Sequence, residues 1–184
     1  LKLFYVILGA TPKGRNTEQH DVFFGIAENV YDLIKDFNEF WKEAKGKIHM
    51  DAYMEVNYID GYEVKVVPKL AEKAEENLYF MNLGGYKPGV FVELHEQILM
   101  VGKSLSEITR RAKKTDFYKE MTFKNSESHI DDKYGVDVDD LAKVTDLLPK
   151  KMKEKYSIIL EKNENSTLEN EINIGYFKLK KPKI

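Results

Sequence analysis

The chain has 184 residues, with 29 Lys or Arg against 31 Asp or Glu, a net charge of −2 and a pI near 6.2. A chain of this length buries roughly 70% of its extended surface on folding, so no cofactor is required for a core. The balanced charge argues against an electrostatic grip on nucleic acid. The absence of Cys excludes disulfides, thiolate nucleophiles and Fe–S clusters, and no run approaches the ~18 apolar residues of a spanning helix. A cytoplasmic protein without a membrane span is the expectation.

In chain order, the apolar run from Leu3 to Leu8 predicts a strand. Gly9 bounds it, a loop containing Pro12 follows, and a second strand runs over about 20–27. Residues 1–10 look like a signal-peptide core, but they reappear in kind at residues 78–85, as a removable leader would not. Asn29 is placed to cap a helix whose apolar stripe is Val30, Leu33, Ile34, Phe37, Trp41 and Ala44, ended by Gly46. Asp60-Gly61 marks a turn between two short strands. Residues 68–77 read as a linker of helical composition. Strands are then expected over 78–83 and 95–102, and Ser104 with Glu107 forms a capping box ahead of Leu105, Ile108 and Ala112. Leu141, Val144 and Leu148 predict a further helix near 139–148, stopped by Pro149. Residues 156–161 and 172–179 are expected to form a C-terminal hairpin.

The chain repeats itself. Residues 3–27 align with 78–102, with identities at Leu3/Leu78, Leu8/Leu83, Gly9/Gly84, Gly14/Gly89, Glu18/Glu93 and His20/His95, where chance gives roughly one or two. His49-Met50-Asp51 then matches His129-Ile130-Asp131, and Tyr62 to Val66 resembles Tyr156 to Leu160, so the second copy carries an insertion. The fold class expected is α+β, a tandem duplication of a ββαββ-like unit at 1–67 and 78–161. Its sheet is mainly antiparallel with helices on one face, and residues 162–184 extend the second copy. Two such halves are expected to pack on each other by equivalent elements, with a pseudo-two-fold seam as the preferred ligand location and a homo-oligomer compatible with the same geometry.

Leu83-Gly84-Gly85-Tyr86 with Glu93-x-His95, and the string from Glu18 to Gly25 with His49-x-Asp51 and Asp60-Gly61-Tyr62, resemble the proteins of domain of unknown function 1543. The resemblance spans residues 1 to about 161. It implies a bacterial domain carried once or twice per chain, and it brings no activity, cofactor or catalytic residue with it.

All four histidines fall in paired positions: Glu18-x-His20 with Glu93-x-His95, and His49-x-Asp51 with His129-x-Asp131. Residues two apart on a strand share a face, so each motif sets a carboxylate beside an imidazole. The first reading is structural, with each histidine anchoring a loop to the sheet. If Glu18, His20, His49 and Asp51 converge, they offer a mixed N,O site for Zn²⁺, Mn²⁺ or Fe²⁺, and acid–base catalysis is the third reading. Neither an HExxH nor a GxSxG pattern occurs. Gly9 and Gly14, like Gly84 and Gly89, have phosphate-loop spacing, but Arg15 and Val90 stand where Lys is required, so these glycines are assigned to strand-end geometry. The lysines at 178, 180, 181 and 183 read as a solvated terminus. Taken together, the sequence favours a non-catalytic ligand- or partner-binding module, with a metal-assisted, hydrolase-like enzyme using the His and carboxylate pairs as the alternative.

Overall fold

The computed structural model describes residues 1–70, 75–121, 129–130, 141–163 and 168–179, with only the backbone at 129–130. Its strands and helices run β1 (Lys2–Ala10), β2 (Gln19–Ala27), α1 (Ile34–Phe40), β3 (His49–Glu55), β4 (Tyr58–Ile59), β5 (Tyr62–Pro68), β6 (Asn77–Gly85) and β7 (Leu94–Gly102). They continue with α2 (Leu105–Ala112), α3 (Asp116–Glu120), β8 (His129–Ile130), β9 (Leu141–Lys143), α4 (Val144–Leu147), α5 (Lys150–Lys155), β10 (Tyr156–Lys162) and β11 (Ile172–Lys178). Among the described residues every strand pairing is antiparallel, and the fold is α+β. No helix among the described residues is long and apolar enough to cross a membrane.

Two compact units divide the chain, Leu1–Glu72 with Leu147–Ile184, and Lys73–Asp146. In the first, a four-stranded sheet has the order β11-β3-β1-β2 and a three-stranded sheet the order β10-β5-β4. Phe4, Val6 and Leu8 alternate on one face of β1 and are buried. Phe23, opposite Val6 on β2, meets Phe37 of α1 edge to face at 5.0 Å, so α1 covers this face. The predicted first helix is in fact three pieces: a 3-10 turn over Val30–Leu33, α1, and a second 3-10 turn over Lys42–Ala44. Asn29 caps the first, its side chain accepting from Tyr31 N.

In the second unit, β6 lies between β7 on one side and β8 and β9 on the other. Tyr79, Met81 and Leu83 of β6 pack with Met100, Leu141 and, from α2, Ile108 and Ala112. The capping box forms in a shifted version: Ser104 Oγ accepts from Glu107 N, while Glu107 Oε2 accepts from Lys103 N.

Two expectations are corrected. Residues 141–143, read as part of a helical insertion near 139–148, form β9 against Tyr79–Met81, and only Val144–Leu147 is helical. Three residues carry too little periodicity to outweigh the pairing offered by the β6 edge. The C-terminal hairpin does not form. β11 pairs with β3, and β10 pairs with β5, so each strand joins the edge of a sheet begun by the N-terminal residues rather than its neighbour in sequence. Residues 147–161, which the sequence reads as part of the second copy, lie in the same compact unit as residues 1–72. The helical composition noted within 68–77 centres on residues outside those described.

Candidate functional site

The registers of β1 with its two neighbours place the site. Gly9, near the end of β1, is directly opposite His20 of β2 on one side and His49 of β3 on the other. By strand alternation all three lie on the face opposite Leu8, away from α1. Glu18 precedes β2, and Asp51 follows His49 by two residues, just where the β1–β3 register shifts. Such a bulge re-aims side chains.

Glu18, His20, His49 and Asp51 thus converge, while His95 and Glu93 are in the other unit. His49 Nε2 lies 3.2 Å from Glu18 Oε1 and 3.2 Å from Asp51 Oδ1. His20 Nε2 lies 3.1 Å from Asp51 Oδ2 and 3.7 Å from Glu18 Oε2. The four differ in exposure. The His49 side chain is 8% exposed and Asp51 30%, whereas Glu18 and His20 are about half exposed, at 45% and 51%. One side of the cluster is therefore fixed in the sheet and the other faces solvent.

These contacts do not satisfy the groups that make them. His49 Nε2 and Asp51 Oδ2 are both buried and neither has a partner in hydrogen-bond geometry. A buried polar atom left this way costs about 1–3 kcal/mol. Both point at the same place, above Gly9. A Cβ on Gly9 would lie 2.4 Å from His49 Nε2 and 2.5 Å from Asp51 Oδ2. Gly9 is thus required for space rather than for a positive φ, which is found instead at Gly14 and Gly89.

Tyr176, which the sequence analysis did not single out, forms the remaining wall. The β3–β11 register shifts between Ile174 and Phe177, and Gly175 takes φ 153°, a value that favours glycine. This puts the Tyr176 ring 4.3 Å from the His49 ring, centroid to centroid, with its own surface largely exposed. A glycine inside a strand-like run was the available signal, since it marks a bulge.

In the second unit, His95 Nε2 lies 3.9 Å from Glu93 Oε2. The backbone of His129 pairs with Gly84, and Asp131 lies outside the described residues. Among those residues, no group of three or more His, Asp or Glu side chains stands where it could hold a metal ion as placed. In the first unit, the exposed pair Glu18 and His20 would have to move to close one.

Residues 15–66 match the family model of a Domain of Unknown Function, DUF1543. All four converging side chains fall inside that segment. A crystal structure of a protein Il1583 from Idiomarina loihiensis is similar over 97% of this chain and 98% of its own, with 21% identity and a TM-score of 0.60. That likeness bears on the fold alone. No curated protein matches the chain.

Proposed function

We propose that the chain is a binding module that takes a divalent cation at Glu18, His20, His49 and Asp51. The observation that carries this reading is the buried, unpartnered His49 Nε2, held 3.2 Å from two carboxylate oxygens. A tetrahedral ion with ligand bonds of about 2.0–2.2 Å sets its ligand atoms ~3.3–3.6 Å apart. The spacings of His49 Nε2 to Glu18 Oε1 and Asp51 Oδ1, 3.2 Å each, and of His20 Nε2 to Asp51 Oδ2, 3.1 Å, lie just short of this range, without hydrogen-bond geometry to explain the first two. Two imidazoles with two carboxylates suit Zn²⁺, Mn²⁺ or Fe²⁺. His49 and Asp51 form the preorganised half of the site, and Glu18 and His20 swing in from the rim.

The solvent-facing rim also supports the alternative, metal-assisted catalysis, because catalytic metal sites keep an open position for water or substrate. Elemental analysis of protein purified without a metal-affinity column tests the binding reading, followed by calorimetric titration with Zn²⁺. Stoichiometric metal lost in His49→Ala supports it, and binding unchanged in that variant overturns it. Hydrolysis of a generic ester or phosphodiester by the loaded protein, abolished in the same variant, would favour the enzyme.

The duplication belongs to the same proposal, with copies at 1–67 and 78–161. Its support is positional. Every β1–β2 pair from Lys2↔Ala27 to Ala10↔Gln19 recurs in β6–β7 from Asn77↔Gly102 to Gly85↔Leu94. The sequence-equivalent strands β5 and β10 pair about their own midpoints, Lys65 opposite Ile159. That is the self-complementary pattern of a two-fold contact.

A further inference from the structure

We infer that the cation at Glu18, His20, His49 and Asp51 holds an aryl monocarboxylate, whose ring lies on the sheet face beside the ion. The inference rests on the reading of that cluster as a cation site. Its starting point is the strand registers. Gly9 is opposite His20 and His49, and His49 is in turn opposite Lys178 of β11. Antiparallel partners directly opposite one another share a face of the sheet, so His20, Gly9, His49 and Lys178 form one row. Val22, Ile7, Ala52 and Ile174 are opposite one another in the same strand order. Ile7 is two residues from Gly9 on β1, which places this second row on the same face.

The second row is wholly apolar and open. Val22, Ile7 and Ala52 are half-buried, and Ile174 is 79% exposed. Rows of one face are about 7 Å apart along a strand, and four strands span about 14 Å, an area that takes one aromatic ring with its substituent. One row further on, the β1–β2 side of the face is closed, because Phe24 is buried and Tyr5 stacks on it at 4.9 Å. At the histidine end, the bulge at Gly175 sets Tyr176 on the His49 ring, and Tyr176 keeps 66% of its surface exposed. Ring surface is thus left for an aromatic ligand to pack against. A contiguous open apolar bed of this kind, with a polar cluster at its edge, is the pattern of a ligand site rather than of ordinary surface.

Charge fixes the head of the ligand. Glu18 and Asp51 together neutralise a divalent ion, which leaves the exposed Lys178 as the one positive charge of the histidine row. A single positive charge matches a carboxylate, whereas a phosphate monoester carries about −1.5 to −2. One carboxylate oxygen takes the position that the ion keeps open toward the rim, and the ring then falls on the Ile7 row. Without the ion, Glu18 and Asp51 repel the same carboxylate, so binding of the ligand requires the metal.

The test is calorimetric titration of benzoate, acetate, benzamide and phenyl phosphate into the full-length chain, with and without Zn²⁺ loaded beforehand. The visible spectrum of the Co²⁺-loaded protein gives a second readout. Benzoate should bind the loaded protein about tenfold more tightly than acetate, through burial of its ring, and should shift the Co²⁺ bands. It should not bind the metal-free protein, and benzamide should bind neither form. Lys178→Met should weaken both carboxylates about two- to fivefold. Ile174→Ser, at an exposed position checked by circular dichroism, should weaken benzoate about three- to tenfold and acetate much less. If Zn²⁺ binds but benzoate is no tighter than acetate, is insensitive to Ile174→Ser, or is outcompeted by phenyl phosphate, the inference is overturned and the cation site stands. A dimer seen by sedimentation and dissolved by Ile174→Ser would give the apolar bed to a second copy and overturn it equally. No bound Zn²⁺ overturns the cation site and the inference with it.

Discussion

Replacing Gly9 by Ala separates the metal reading from a merely structural role for the histidines. The added Cβ would sit 2.4 Å from His49 Nε2 and 2.5 Å from Asp51 Oδ2. To reach ordinary contact each atom must retreat by about 1 Å, while metal–ligand distances tolerate only about 0.2 Å. Loss of a mere outer-shell partner already weakens metal binding by about 10–100-fold, and here two ligand atoms move, so the loss of Zn²⁺ affinity should exceed ~100-fold. The cost to the apo fold should be small. Ala gains about 0.5–1 kcal/mol over Gly in a strand, offset by about 0.5–1.5 kcal/mol for an off-rotamer His49 or Asp51. Thermal unfolding with Zn²⁺ at 100 times its Kd should raise the wild-type Tm by about 5–10 °C, the equivalent of ~2.7 kcal/mol. The Gly9→Ala protein should unfold near the apo wild-type temperature with and without Zn²⁺. Wild-type affinity in Gly9→Ala would refute the argument, because the ion would then not lie where His49 and Asp51 aim.

Phe37→Ala should destabilise the first unit by about 3–5 kcal/mol in urea titration, since Phe37 is fully buried against Phe23. Ser104→Ala should cost about 1 kcal/mol by removing the oxygen that accepts from Glu107 N, read by the same titration. Lys151 pairs with the buried Asp36, whose carboxylate raises the lysine's pKa above its ordinary value through their hydrogen bond, partly opposed by desolvation. The raised pKa stabilises the fold below the unfolded value of about 10.4 and ceases to do so as pH rises through the higher folded value. Lys151→Met should therefore be less stable than wild type at pH 7, and the gap should narrow above pH ~10.4 in denaturant titrations. Burial pushes the phenols of Tyr5, Tyr53 and Tyr79 up, Tyr5 the furthest, so spectrophotometric titration should show tyrosines ionising beyond the usual range, and Tyr5→Phe should remove the last of these steps.

Local signals were legible in the sequence where local physics decides. β1, β2, β6 and β7 follow from apolar runs bounded by glycine and loops. The caps at Asn29 and Ser104 follow from residue type and spacing. The convergence of Glu18, His20, His49 and Asp51 was legible only as a condition, because it depends on β2 and β3 both pairing with β1. Which edges the last two strands join was not legible. Ile172 to Lys178 alternates as a strand should, but β3 and β10 offer it equally plausible partners until the whole ladder is compared. Residues 141–143 misled for a related reason: Leu141, Val144 and Leu148 have helical spacing, and the strand pairing of Leu141 with Met81 comes from 60 positions away.

The late pairing of β10 and β11 has a consequence for how the protein is made. The partner strands of β3 and β5 follow much later in sequence, at Ile172–Lys178 and Tyr156–Lys162, whereas the second unit is contained in Lys73–Asp146. At synthesis rates of about 5–20 residues per second, β3 and β5 wait roughly 5–20 s on the ribosome with one edge bare. The portion translated first is therefore completed last, and His49 acquires its Tyr176 cover only after β11 has been synthesised. Bare edges are where strands of other molecules add, so the unfinished first unit, rather than the second, is the stage of biogenesis at which this protein most needs a chaperone.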